Sequence, residues 1–510
     1  MLIVGAGISG IGTAFHLKSK QPGISFGILE ARERIGGTWD LFRYPGIRSD
    51  SDLNTFGFAF KPWTDEKTIA DGDSILAYLQ ETIDENGLDE NLKLGNRVIR
   101  AEWDSARVCW TATVEVVATG EQVEMTAKWL YAAGGYYDYE EGFTPDFEGI
   151  ETFHGEVIHP QFWPEDFDET GRKVVVIGSG ATAVTLVPAL SETASHVTML
   201  QRSPSYVVAV PSRDEFAIRA RRWLGDRRGY ALARRFNIWR QIAMYGLSKR
   251  FPRIMRKLLI WGIRRQLPAD FDVDTHFNPT YDPWDQRLCV VPDGDLFEAI
   301  SQDRASVVTD RIATFTENGI LLESGREIEA DVIVTATGLN LKPFGSAEVL
   351  VDGHVVKLAE TVVFKGTMLS GIPNFSFSIG YTNSSWTLKV DLVAEYLCRM
   401  LGYMRSNGYA SVVPECPGGF ETRPLLDLDA GYVKRVAGNL PRQGSDQPWQ
   451  MNQNYHRDIK VLIREGVADP ALRFSKLTAT GPGGSELEKV ASAADVSSAI
   501  APPAASTKTV

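Results

Sequence analysis

A short apolar strand, a glycine-rich turn and a helix start follow one another twice in this chain, from residue 1 and again from residue 174. A third apolar run, Asp331-Val-Ile-Val-Thr-Ala-Thr-Gly338, ends in another glycine turn. Together these predict an α/β protein with two Rossmann-like dinucleotide-binding domains and a helical insertion.

Met1-Leu-Ile-Val4 reads as a buried parallel strand, and Gly5-x-Gly7-x-x-Gly10 follows at once. A helical pattern runs through His16 and Leu17, and a second strand, Ser25 to Leu29, ends at Glu30. Gly5 allows the tight turn, Gly7 lets a pyrophosphate approach the backbone, and Gly10 lets the helix pack closely. The helix N-terminus then stabilises the phosphates. A carboxylate at Glu30 accepts hydrogen bonds from ribose hydroxyls and repels a 2′-phosphate.

The second unit is Val174-Val-Val-Ile177 followed by Gly178-x-Gly180-x-x-Ala183, and its next strand, His196 to Leu200, runs into Gln201-Arg202-Ser203. Here a cation and a hydroxyl stand where the first unit has an acid, a pair suited to the 2′-phosphate of NADPH. Against that, Arg202 also reads as a solvated surface arginine. One plain and one phosphorylated ribose imply FAD in the first site and NADPH in the second, a hydride relay.

Composition narrows what the relay serves. A length of 510 residues suits two or three domains, and 44% apolar with 23% charged residues is ordinary for a soluble chain. A net charge of -12 argues against nucleic acid as partner. Cys109, Cys289, Cys398 and Cys416 are scattered, with no Cys-x-x-Cys pair, which fits a reduced cytoplasmic protein without disulfides or a zinc site. No His-Glu-x-x-His is present, so no catalytic metal is expected. The first strand is expected to begin almost at residue 1, so no signal peptide is expected within this sequence. The apolar run Val174 to Leu190 is broken by Gly178, Ser179, Gly180 and Thr182, and reads as strand, turn and helix, not as a membrane span.

A disulfide-type flavoprotein reductase needs a cysteine pair near the flavin. None exists here, so the electrons are expected to go to O2. The stretch Phe153-x-Gly155-x-x-x-His159-x-x-x-Trp163-Pro164 resembles the fingerprint of the type I Baeyer–Villiger flavin monooxygenases. Gly36-Gly37-Thr38-Trp39, Tyr44-Pro45-Gly46 and Asp50 fit a second pattern of that family. The resemblance runs from Leu2 to about residue 475 and is strongest to the ethionamide-activating subgroup, through GGTWDLFRYPGIRSDSD and YDPWDQRLCVVPDGDLF.

The resemblance implies that Arg287 is the active-site arginine and Asp50 its acidic partner. A guanidinium stays charged at any working pH, so it can stabilise both a C4a-peroxyflavin anion and the oxyanion formed when peroxide attacks a ketone. It further implies an FAD site of Gly5, Gly7, Ser9, Gly10, Glu30, Gly37, Thr38, Trp39, Asp40, Leu41, Asp50 and Val98. The implied NADPH site comprises Arg48, Ser49, Asp50, Gly178, Ser179, Gly180, Ala181, Thr182, Ala183, Arg202, Ser203, Gln286 and Arg287. Where the family often has Lys beside the arginine, this chain has Gln286, which shifts the 2′-phosphate load to Arg202 and Ser203. Phe153, Gly155, His159, Trp163 and Pro164 are expected to couple the two domains without touching substrate. The bland alternative for His159 is a hydrogen-bonded structural histidine, and for Asp50 a loop cap. The implied reaction turns ketones into esters or lactones, with sulfides and thioamides as side substrates. The rivals are an N- or S-oxygenating flavin monooxygenase and a low-turnover flavin redox sensor.

The expected order is an FAD-domain segment at 1–138, a joining segment at 139–165, and an NADPH-domain segment at 166–205. The insertion at 206–276 follows, then 277–338 of the NADPH domain, 339–478 of the FAD domain and a disordered tail at 479–510. Gly380-Tyr-Thr-Asn-Ser-Ser-Trp386 is expected to lead into a helix and, by family position, to approach the flavin. Residues 213–265 carry sixteen Lys or Arg and three Asp or Glu, so the rest of the chain holds about -25 (-12 minus +13). Trp223, Trp239, Phe251 and Trp261 are interleaved with these charges, and Ile254, Leu258 and Trp261 recur at helical spacing. One reading is a helical roof over the active site with a solvated basic face. The other is a peripheral surface that meets anionic lipid.

Overall fold

The structure, a computed structural model, describes residues 1–426, 431–480 and 484–489. Two five-stranded parallel sheets organise it. In the first, Leu2–Val4 is central, with Gly27–Leu29 and Leu92–Lys93 to one side, and Leu130–Ala132 and Phe375–Phe377 to the other. In the second, Lys173–Ile177 is central, with His196–Gln201 and Ala305–Thr309 to one side, and Val332–Val334 and Glu156–Ile158 to the other. The central strands read as continuous apolar runs because helices and loops cover both faces of a parallel sheet. Val174, Val175, Val176 and Ile177 are all buried. The second strand of the first unit begins at Gly27, not Ser25, because its partner starts at Leu2, which pairs with Gly27.

Two antiparallel strands, Tyr137–Gly142 and Leu339–Leu341, carry the chain between the sheets. Glu156–Ile158 of the joining segment forms the edge strand of the second sheet beside Val332–Val334. Helix Ile8–Lys20 packs on the first sheet and against helix Trp386–Asn407, which starts directly after the Gly380–Ser385 stretch.

In the insertion, Val207–Val210 pairs with Cys289–Pro292, and helices Glu215–Arg250, Pro252–Arg264 and Val273–Phe277 follow. Gly225, at φ 76°, breaks the long helix, and the two halves fold against each other: Phe216 and Phe236 lie 4.7 Å apart between ring centroids. The long helix buries Ala217, Ile218, Tyr230, Ala233 and Ile238, yet large apolar side chains also lie on its outer side. Its buried side includes Arg234 and Asn237, while Leu232, Phe236, Trp239, Met244 and Leu247 face solvent. Among the described residues no helix is long and apolar enough to cross a membrane.

Part of the tail expected to be disordered is a ladder: Leu472–Thr480 pairs antiparallel with Gly484–Lys489. Backbone hydrogen bonds sustain that hairpin, which a composition-based reading does not weigh. Residues 481–483 and 490–510, the remainder of the expected tail, lie outside the described residues.

Candidate active site

The first glycine turn opens onto a cleft of about 540 Å³. Gly5 has φ 107°, and a Cβ there would lie 2.7 Å from the Ala133 carbonyl oxygen. A Cβ on Gly10 would lie 1.9 Å from the Gly5 oxygen, so only glycine lets the helix sit this close to the strand. Gly7 ends on the cleft wall opposite Gly37; a Cβ on Gly37 would reach 3.2 Å from the Gly7 Cα. Glu30 is buried at the end of its strand, accepting from the Ala6 N–H at 2.7 Å and the Arg32 N–H at 3.0 Å. Burial pushes its pKa up, and those two amides oppose the shift without reversing it. An uncapped helix N-terminus, a bare glycine floor and a carboxylate beside them fit a dinucleotide with an unmodified ribose.

Gly5, Gly7, Ser9, Glu30, Gly37, Thr38, Trp39, Asp50 and Val98 line the cleft together with Arg287. Gly10, Asp40 and Leu41 do not. Gly10 lies beneath the turn, and Leu41 packs into the core of the second sheet. The Asp40 carboxylate is held by Arg32, Arg34 and Arg43.

The second turn repeats the architecture. Gly178, at φ 147°, would bring a Cβ to 2.4 Å from the Ala336 oxygen, whereas a Cβ on Gly180 would meet nothing within 4 Å. The Ser179 hydroxyl donates to the Ser203 carbonyl at 3.1 Å and lies 2.9 Å from the Ser205 Oγ. Arg202 and Ser203 project exposed past the strand end. Ala181 and Thr182 open the helix Ala181–Leu190, with Ala183 buried beneath it. Exposed turn, cation and hydroxyls fit a phosphorylated ribose.

Between the turns stands a charge pair from distant parts of the chain. Arg287 Nη1 lies 3.4 Å from Asp50 Oδ2, and both side chains remain partly exposed, at 38% and 44%. Cys289, two residues on, donates its thiol to the Ser179 carbonyl at 3.6 Å, tying the arginine strand to the second glycine turn. Burial pushes that thiol up to about 12, with Asp50 adding to the shift, so it stays protonated at neutral pH. Arg48 pairs with Asp295 at the start of helix Asp295–Ser301. The Ser49 hydroxyl turns inward onto Ser51, donating to its carbonyl at 2.7 Å and accepting from its N–H at 3.1 Å. Gln286 is half-buried in the arginine loop.

The insertion grips both loops of the pair. Lys249 reaches Asp285 at 2.8 Å, and Tyr245 packs edge-on to Trp284, whose φ of 71° marks a strained turn. On the other side Gln241 donates to Asp52 at 2.9 Å and accepts from Ser384 at 2.7 Å. Arg234 donates to the carbonyls of Asn54, Thr55 and Gly57 and pairs with Asp391 at 3.3 Å. The guanidinium thereby caps the short helix Leu53–Phe56 that follows Asp50.

The Phe153 to Pro164 stretch lies at the junction of the second sheet with the two crossing strands. Phe153 is buried against Phe315 and the sheet, and Gly155 leaves no space for a side chain, since a Cβ would lie 2.4 Å from the Asp331 oxygen. His159 accepts the Gln161 N–H on Nδ1 at 3.2 Å, so its proton sits on Nε2, which donates to the Gly338 carbonyl at 3.2 Å. Its ring lies over Gly142 on the other crossing strand, where a Cβ would come within 2.1 Å. Desolvation holds the His159 pKa below the usual histidine value. Trp163 packs on Phe167 and the core of the second sheet, and Pro164 is exposed. None of the five lines the cleft.

Sequence reasoning gave no role to Gln241, Arg234 or Cys289. No motif marks Gln241 or Arg234, and the stretch that holds Cys289 does not show its partner: each acts across a long separation. Tyr381, Ser384 and Trp386 do line the cleft, as the Gly380–Trp386 stretch suggested. The Trp386 indole donates to Ser9 at 2.9 Å, and the Tyr381 hydroxyl donates at 2.6 Å to Asp458, itself buried with Lys389.

Comparison with known proteins decides the family. The chain is 52% identical to the FAD-containing monooxygenase EthA of Mycobacterium tuberculosis over 478 residues, covering 93% of this chain and 97% of that one. The chain belongs to the FAD-containing monooxygenases. It is 51% identical over 482 residues to EthA of Mycolicibacterium smegmatis (93% and 97% covered), and 47% identical over 486 residues to the probable FAD-binding monooxygenase AlmA of Acinetobacter baylyi (94% and 97% covered). The family profile described as pyridine nucleotide-disulphide oxidoreductase matches residues 2–216, which take in both glycine turns. The fold is similar to that of an oxidized steroid monooxygenase bound to NADP (TM-score 0.72, 23% identity, 93% and 98% covered). It is also similar to OTEMO in complex with FAD and NADP (TM-score 0.68, 24% identity, 81% and 86% covered) and to open cyclohexanone monooxygenase (TM-score 0.68, 22% identity, 81% and 89% covered).

Proposed function

We propose that this monooxygenase binds FAD and NADPH and converts ketones and O2 into esters or lactones by Baeyer–Villiger oxygenation, with sulfides and thioamides as side substrates. The supporting observation is the Arg287–Asp50 pair, 3.4 Å apart, on the wall of the cleft that holds the first glycine turn and Glu30. The overall balance is ketone, O2, NADPH and a proton to ester, water and NADP+. Bound FAD supplies the hydride relay and the activated oxygen.

The chain's own residues do the rest. Gly7 and the N-terminus of helix Ile8–Lys20 receive the FAD pyrophosphate, and Glu30 receives its ribose. Arg202, Ser203 and the Gly178–Ala183 turn receive NADPH. Arg287 stabilises negative charge on the substrate carbonyl oxygen as it is attacked, and Asp50 orients the guanidinium. Residues 1–138 with 339–478 form the FAD domain, and 166–205 with 277–338 the NADPH domain. The segment 139–165 couples them, with His159 as a latch across the two crossing strands. Four unpaired thiols suit a reducing cytoplasm.

The test is a ketone panel with isotopically heavy dioxygen. One heavy atom in the ester and one in water carries the reading. Sulfoxide without ester would favour the S-oxygenating rival. NADPH consumption absent with every ketone and sulfide would favour the redox sensor.

A further inference from the structure

The insertion has a second face, away from the cleft. Met244, Leu247, Phe251, Ile254, Leu258 and Trp261 recur every three or four residues across the end of one helix and the whole of the next, and all six are exposed. On the second helix Ile254 is 59% exposed, Trp261 56% and Leu258 54%. At the turn around Gly225, Trp223 is 87% exposed beside Leu224, with Arg222, Arg227 and Arg228 around them. A soluble protein rarely leaves so many large apolar side chains uncovered on one insertion.

The same stripe is bordered by exposed Arg250, Arg253, Lys257 and Arg265, and among the described residues none of these four is in an ion pair with an acid. Arg265 instead lies over the Trp261 ring at 4.9 Å and Arg250 over Phe251 at 5.8 Å. Apolar stripe, tryptophans and bordering cations match a helix lying in the plane of an anionic lipid interface. A second copy of the chain fits less well. A two-fold contact would set this cation border against itself, whereas lipid phosphates neutralise it. The rest of the chain, carrying about -25, is repelled by the same surface and so orients the protein with this face down (-12 minus +13).

We propose that residues 215–264 form a peripheral docking face for an anionic phospholipid bilayer, into whose interface Ile254, Leu258, Trp261 and the Trp223 turn insert. This does not depend on the ketone reading. The experiment is co-sedimentation of the flavin-loaded enzyme with phosphatidylcholine vesicles, with and without phosphatidylglycerol, at low and high salt. Binding is expected only with phosphatidylglycerol, weakening with salt. It should fall about fivefold for each cation removed in R253Q and K257Q, and be abolished in Leu258→Glu/Trp261→Glu, whose flavin spectrum and melting temperature stay native. Both positions are exposed, so loss of folding is not expected; R253Q/K257Q supplies a second test free of core residues. Equal binding to uncharged vesicles, no binding to charged ones, or binding that survives these substitutions would overturn the proposal. So would a lipid-free dimer dissociated by the same double substitution, since the face would then belong to a subunit contact.

Discussion

Replacing Arg287 by alanine separates chemistry from stability. At 3.4 Å in high dielectric, the pair with Asp50 has a Coulomb attraction of about 1 kcal/mol. With the two side chains 38% and 44% exposed, screening and side-chain entropy leave roughly 0–1 kcal/mol of stability. For a chain of this size that is a melting shift of about 2 °C or less. In catalysis the same guanidinium would face a carbonyl oxygen that gains charge as it is attacked. Loss of one such donor typically lowers the rate about 10²–10³-fold. Arg287→Ala is therefore expected to melt like the wild type and to retain flavin, yet to release hydrogen peroxide in place of ester, so that NADPH consumption uncouples from product. The assay pairs scanning fluorimetry with chromatographic ester yield per NADPH. Ester yield within tenfold of wild type, or a melting point lowered by about 8 °C or more, would refute the assignment: the first because the charge is unused, the second because its role is structural.

Arg202→Ala should raise the KM for NADPH about tenfold and leave that for NADH unchanged, because one exposed charge-assisted contact to the 2′-phosphate is removed. Steady-state kinetics with both nicotinamides checks it. His159 has a pKa lowered by burial, so between the unfolded value near 6.5 and the folded one the unfolded chain binds more protons and stability falls as pH drops. His159→Gln should flatten the melting curve's dependence on pH over that window. Burial alone would raise the Asp391 pKa, but His16 and Arg234 overcome it and hold the carboxyl low. The stability this contributes is therefore present above about pH 4 and lost as pH falls through the folded value. Asp391→Asn strands Arg234 and should cost about 3–5 kcal/mol at neutral pH, read as a lower urea midpoint, while removing that acid limb.

Both nucleotide turns were legible because their signal is local. Strand, glycines and helix adjoin in sequence, and steric need explains three of the glycines: a Cβ at Gly5, Gly10 or Gly178 would meet backbone closer than 3 Å, whereas Gly7 and Gly180 leave room. Glu30 was legible for the same reason, lying just past its strand. Arg287 and Asp50 were not: 237 residues separate them, and only the resemblance joined them. Arg234 and Gln241 left no trace, and Cys289 stood in a quoted stretch without a role, since each is defined by a partner far along the chain. The placement of Asp40 was missed because GGTWD reads as one motif, while the fold turns Asp40 away onto three arginines. Helical spacing in the insertion was visible, but not its polarity. A helix that buries arginine and exposes tryptophan cannot be oriented by hydrophobicity alone.

The interleaving of the two sheets has a consequence for biosynthesis. Every strand of the second sheet lies between residues 156 and 334, whereas the first sheet begins at Leu2 and is closed by Phe375–Phe377 against Leu130–Ala132. As the chain leaves the ribosome, the inner unit has all its strands before the outer one has its last. The outer unit must hold its earlier strands with the short Leu130–Ala132 edge unpaired until Phe377 emerges, and that waiting edge is open to misassociation in the nascent chain.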